Sequence, residues 1–129
     1  MNFLLRNLLW VDCAAGAAVG VLVLGLASWL AEIEGLPLGV LLFTGAANLL
    51  YACYSFSLAI RIRRRMIWIK LLVLANLAWV PVCIGLAWVH RADASPLGFA
   101  HLLGEAAFVG GLAVLEWKQR HQLVRPQAN

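Results

Sequence analysis

MIWIKLLVLANLAWVPVCIGLAWV, residues 66–89, carries one charge, Lys70, close to its start. An apolar run of about 18 or more residues is long enough to cross the ~30 Å hydrocarbon core of a bilayer as a helix. Three more runs of this kind flank it, at about 8–31, 36–60 and 97–117. Together they use most of the 129 residues and leave no room for a soluble domain. The chain is 64% hydrophobic and 12% charged, about half the charged fraction of a soluble domain. Its mean hydropathy is +0.87. The expected fold is therefore all-α: an up-down-up-down bundle of four transmembrane helices forming one integral membrane domain over residues 1–129, with a polar tail at 118–129.

The segment before residue 66 sets the topology. RIRRRMIWIK, residues 61–70, holds Arg61, Arg63, Arg64, Arg65 and Lys70. Arg6 precedes the first run, and Lys118, Arg120 and Arg125 follow the fourth. The two remaining loops carry Glu32, Glu34 and Asp93 with a single Arg91. Four spans place the three basic segments on one side, and the positive-inside bias makes that side the cytoplasm. Both termini are thus expected in the cytoplasm, in a bacterial cytoplasmic (inner) membrane. Arg61, Arg63, Arg64 and Arg65 are expected to meet anionic lipid headgroups, worth ~1 kcal/mol each. Nucleic acid is not an expected partner, because a turn of a few residues offers no folded basic surface with stacking aromatics. Trp10, Trp68 and Trp117 fall near the basic boundary and Trp29 and Trp88 near the other, as interfacial belts do. Trp79 falls near mid-membrane and fits neither belt.

The first run is longer than the ~7–15-residue apolar region of a signal peptide. It also carries Asp12, and ASWLAEIEG lacks a clean small-x-small cleavage site. It reads as a retained helix. Cys13, Cys53 and Cys83 form no C-x-x-C pair and no metal-ligand spacing, so they read as small core residues rather than as a quinone-linked thiol centre. PLGVLLFTGAA and PLGFAHLLGEA open the second and fourth runs, and five identities recur at a constant offset, Pro37/Pro96 through Ala47/Ala106. The match suggests two hairpins in the same orientation. Gly16 and Gly20 form a G-x-x-x-G, whose uses are close packing within the bundle or a homodimer face.

Polar groups inside hydrocarbon are expensive and need a partner or a purpose. Helical spacing puts Thr44, Asn48, Tyr51 and Ser55 on one stripe, Asn76 and Cys83 on another, and His101, Glu105 and Glu116 on a third. Asn48, Asn76 and Glu105 fall at one depth, near the midpoints of their spans. The expected intramembrane polar cluster is Asn48, Tyr51, Asn76 and Glu105. A lone ionised carboxylate at that depth is prohibitive, which favours a neutral Glu105 donating to an amide carbonyl. Asp12, Arg61, Lys70 and Glu116 lie at a similar level near the basic boundary and are expected to form ion pairs. His90, Asp93 and His101 frame the other end with metal-donor chemistry but without tight ligand spacing. No cofactor motif, nucleotide loop, Ser-His-Asp arrangement or paired-carboxylate signature appears, so nothing points to an enzyme.

LLWVDCAAGAAVG, GLPLGVLLFTGAANLLY, NLAWV and GEAAFVGGLAVLEW, taken together, resemble a group of uncharacterised small bacterial four-helix integral membrane proteins. The resemblance implies Asp12, Asn76, Trp79 and Glu105 as recurring features, and no activity. Small multidrug-resistance transporters are similar in class only: their intramembrane carboxylate lies in the first helix, whereas Glu105 lies in the fourth. The leading expectation for function is a non-enzymatic packing or interaction module, pairing with itself or a membrane partner. The alternative is a proton-coupled carrier of a small or lipophilic substrate that uses Glu105.

Overall fold

The computed structural model describes residues 7–61 and 64–124. Arg63, one of the four arginines expected at the headgroups, lies outside the described residues, as do Arg6 and Arg125. The described chain is helical without strands: α1 (Leu8–Gly25), α2 (Ala27–Glu34), α3 (Leu38–Ala59), α4 (Met66–Val89), α5 (Pro96–Lys118) and α6 (Arg120–Val124). Helices α1, α3, α4 and α5 are long and apolar enough to cross a membrane. Their outward faces are apolar too: Leu50 is 73% exposed, and Val21 and Leu74 are each 60% exposed. Such a surface needs lipid around it, and the chain reads as an integral membrane protein.

The first run is not one uninterrupted helix. Leu26 sits at φ −114° and ψ 20°, between α1 and α2. Gly25 immediately precedes it, and glycine lowers the cost of leaving helical geometry. Beyond this break, α2 packs against both α3 and α5. That path buries Glu34, which the sequence places in a loop.

The spans pair as two hairpins. Helix α1 packs along α3, and α4 packs along α5, while α3 touches α4 only sparsely. The α1–α3 seam consumes the small residues of the first span. A Cβ at Gly16 would lie 3.2 Å from the Asn48 carbonyl oxygen, and one at Gly20 would lie 2.6 Å from Leu49 Cγ. The G-x-x-x-G stripe is thus covered by α3. Leu8, Leu58, Ile69 and Leu112 gather all four spans into an apolar cluster near the basic end. Val23, Leu41, Ala87 and Leu102 do the same near the opposite end.

At that opposite end the two hairpin turns are tied together. Ser95 N–H donates to the Glu34 carbonyl at 2.8 Å, and Ser95 Oγ donates to the Ile33 carbonyl at 2.7 Å. The same hydroxyl oxygen accepts from Gly98 N–H, so Ser95 also caps α5, with Pro96 at its first position. Glycine is required at two points of this junction. Gly35 has φ 69°, and a Cβ on Gly98 would collide with the Glu34 carbonyl.

At the basic end, Arg64 turns inward rather than toward headgroups. Its guanidinium donates to the carbonyls of Leu58 (2.5 Å), Ala59 (3.1 Å) and Leu123 (2.7 Å). Its backbone N–H donates to the Val124 carbonyl. One cation thereby caps the ends of α3 and α6, where free carbonyls collect partial negative charge. Partial burial lowers the Arg64 pKa from its ordinary value. The polar tail correspondingly contains a short helix, α6, anchored by buried Leu123. Arg64→Ala is expected to destabilise the protein by about 1.5–3 kcal/mol, the range for hydrogen bonds to charged groups. Thermal unfolding in mild detergent measures this, with Arg65→Ala, an exposed position, as the unaffected control.

Candidate functional site

Buried polar side chains form two hydrogen-bonded clusters that meet along α3. The first begins at Glu34, at the end of α2. Glu34 Oε1 lies 2.7 Å from His101 Nδ1, and His101 Nε2 lies 3.2 Å from Glu105 Oε2. His101 and Glu105 are one turn apart on α5, so the imidazole bridges two carboxylates from different hairpins. Glu105 Oε1 accepts from Asn48 Nδ2 at 2.6 Å and from Trp79 Nε1 at 2.7 Å. Asn48 also donates to the Thr44 carbonyl at 2.8 Å. Spans α3, α4 and α5 thus converge on a carboxylate whose side chain is 7% exposed. The imidazole hydrogen-bonds Glu34 through Nδ1, while His101 Nε2 and Glu105 Oε2 face each other without a hydrogen bond.

The second cluster starts one turn along α3 from Asn48. Tyr51 O–H donates to Asp12 Oδ2 at 2.7 Å. Asn76 Nδ2 donates to Tyr51 Oη at 2.5 Å and to Glu116 Oε1 at 2.7 Å. Asp12, Asn76 and Glu116 are all buried. Glu116 Oε2 is buried without a hydrogen-bond partner, and the Asp12 carboxyl is its neighbour. All four spans contribute one member: Asp12 from α1, Tyr51 from α3, Asn76 from α4 and Glu116 from α5.

Two cavities flank the step between the clusters. One of about 260 Å³ lies between α1, α3 and α5, with Asp12, Asn48, Tyr51, His101 and Glu105 on its wall beside apolar Val19, Phe108 and Leu112. The other, of about 170 Å³, lies against Asn48, Tyr51, Asn76 and Trp79. The larger cavity places Glu105 and Asp12 on one wall, and the smaller touches the amides of Asn48 and Asn76.

The expected mid-depth cluster is therefore arranged as two. Asn48 and Glu105 are bonded to each other, while Asn76 joins Tyr51 and Glu116 instead. The expected ion pairs of Asp12 and Glu116 with Arg61 and Lys70 do not form. Among the described residues, no lysine or arginine nitrogen lies within 4.0 Å of a carboxylate oxygen. The inward face of α4 runs through Ile69, Leu72, Val73 and Asn76, which leaves Lys70 on the outward face. Arg61 is exposed beyond the end of α3. His90, Asp93 and His101 do not assemble into a metal site either, because His101 turns inward to Glu34 and Glu105 while Asp93 stays exposed in the loop.

Glu34 and the joint role of His101 escape the sequence reading. Trp79 carried a usable signal: an indole N–H in hydrocarbon needs an acceptor, and Glu105 was the acid at its depth. No family model, curated protein or solved structure matches this chain.

Proposed function

We propose that the protein is a proton-coupled carrier of a small or lipophilic substrate, with Glu105 as the acid that exchanges the proton. The observation that carries this reading is the position of Glu105: it lines a cavity between α1, α3 and α5 and at the same time joins the two hairpins through Asn48, with Trp79 of its own hairpin on the same oxygen and His101 beside it. The hairpins share an apolar cluster at each end, and between these clusters polar contacts join them. Adding a proton to Glu105 removes an acceptor charge facing His101 and weakens the tie. A substrate entering the cavity competes for the same groups. The Asp12–Glu116 pair supplies a second proton-binding acid on the basic side of the cavity. The small-residue stripe that would serve a packing module is already covered by α3, which favours the carrier.

The membrane in this reading is the bacterial cytoplasmic one, with the basic end inside and Arg61 and Arg65 at anionic headgroups. The test of transport is a purified preparation in vesicles with a pH-sensitive dye inside. Dissipation of an imposed pH gradient, accelerated by candidate substrates, is expected. Absence of both flux and substrate dependence would sink the carrier. The orientation has its own test. With Cys13, Cys53 and Cys83 replaced, Asp93→Cys is expected to react with an impermeant maleimide added to intact cells. Labelling only after permeabilisation would invert the topology.

A further inference from the structure

We infer that the outward seam between α4 and α5 is a binding site for an anionic phospholipid of the leaflet at the basic end. A groove of about 510 Å³ runs along this seam on the face away from the buried acids. Its walls are Val73, Leu74 and Leu77 of α4 and Val114 of α5, with buried Ala113 as a small floor residue. From Lys70 to Leu77 the groove follows about 10 Å of helix at 1.5 Å per residue. That length suits the first part of an acyl chain.

The charge at its mouth selects the headgroup. Lys70 near the start of α4 and Lys118 at the end of α5 both line the groove at its basic end, and both are exposed. Among the described residues, neither has a carboxylate within 4.0 Å and no acidic residue lines the groove. The nearest acid in sequence, Glu116, faces the opposite side and is bonded to Asn76. Trp117 stands between the two lysines as an interfacial aromatic, and the Arg120 guanidinium lies 4.1 Å from its ring centroid. Two unpaired cations above a purely apolar slot match a phosphate ester carrying acyl chains. A basic recess between membrane helices is a recognised setting for such headgroups. A zwitterionic lipid would bring its own cation to the same two lysines and gain less. The site is separate from the polar clusters and does not rest on the carrier reading.

Native mass spectrometry of the detergent-purified chain, titrated with phosphatidylglycerol or with phosphatidylcholine of the same acyl chains, tests the site. Phosphatidylglycerol is expected to bind about thirtyfold more tightly, the scale of two headgroup cations at ~1 kcal/mol each. Lys70→Gln/Lys118→Gln should reduce phosphatidylglycerol retention to the phosphatidylcholine level, while Arg91→Gln, at the opposite end over Trp88, leaves it unchanged. Leu74→Trp, at an exposed position, should fill the slot and weaken both lipids with the lysines intact. Equal retention of the two lipids by the natural chain would overturn the proposal. So would undiminished binding by the double lysine variant, or a lipid-free dimer in which a second copy covers the seam.

Discussion

Glu105→Gln is expected to reduce proton flux to the level of protein-free vesicles while the bundle keeps its fold. Glutamine has the shape of glutamate and retains the Oε1 acceptor used by Asn48 Nδ2 and Trp79 Nε1. Its amide replaces Oε2 and can donate to His101 Nε2 when that imidazole is neutral and carries its proton on Nδ1 toward Glu34. The hydrogen-bond count then survives and only the exchangeable proton is lost. Glu105→Ala instead leaves Trp79 and His101 without this partner and opens a void. It should cost on the order of 1–3 kcal/mol in stability as well as function. The pair of variants separates the two roles of the residue. Flux that persists in the glutamine variant would remove Glu105 from the transport step. A glutamine variant as unstable as the alanine one would place a charged imidazole beside Glu105, because the neutral amide strands that charge.

The membrane architecture was legible because its cause is local. Hydrocarbon thickness demands long apolar runs, and backbone satisfaction demands that each be a helix. The helices accordingly begin and end close to the residues where polarity changes, as Met66–Val89 does. Part of the polar site was legible for the same reason: Asn48, Asn76 and Glu105 stand out because polar groups at that depth are rare. Which of them touch was not legible. Asn48 and Asn76 lie at similar depth, yet one bonds Glu105 and the other bonds Glu116. The choice depends on how the hairpins are rotated against each other, which one sequence does not encode in any local pattern. The break at Leu26 had the same effect on Glu34: a change of direction near one glycine carries a loop acid into contact with His101. Charge misled where it was read by level alone. Lys70 and Glu116 share a depth, but they lie on opposite sides of the α4–α5 pair.

That division explains why the interior relies on hydrogen bonds. In lipid there is little hydrophobic force between helices, so association depends on close packing and on polar contacts. Within each hairpin, packing is close: Gly16, Gly20 and Gly45 bring α1 against α3. Between hairpins, Glu34–His101, Asn48–Glu105 and Tyr51–Asn76 supply the cross-links. Each cross-link contains an acid or adjoins one. The junction that holds the hairpins together is therefore also the part of the molecule that protons can change.

Asn76→Leu is expected to be the most destabilising substitution in the basic-end cluster, at about 2–3 kcal/mol. Leucine has the branched skeleton of asparagine, with bulkier methyl groups, but removes the amide that donates to both Tyr51 Oη and Glu116 Oε1. Glu116 is fully buried and its other oxygen has no hydrogen-bond partner, so losing Asn76 leaves the whole carboxyl unpaired in a low-dielectric setting. The cost belongs to the orphaned carboxyl more than to the lost bond. Removing both partners should consequently relieve it: Asn76→Leu/Glu116→Leu is expected to be more stable than Asn76→Leu alone, with a coupling of at least about 1 kcal/mol. Asp12 keeps its donor from Tyr51 in that variant. Thermal unfolding of the four proteins in the same detergent completes the cycle. Additive losses would show that Asn76 and Glu116 are not energetically joined. Flux measured on the double variant then addresses function: a stable bundle that no longer moves protons would make the Asp12–Glu116 pair part of the path, and unchanged flux would confine it to holding the helices.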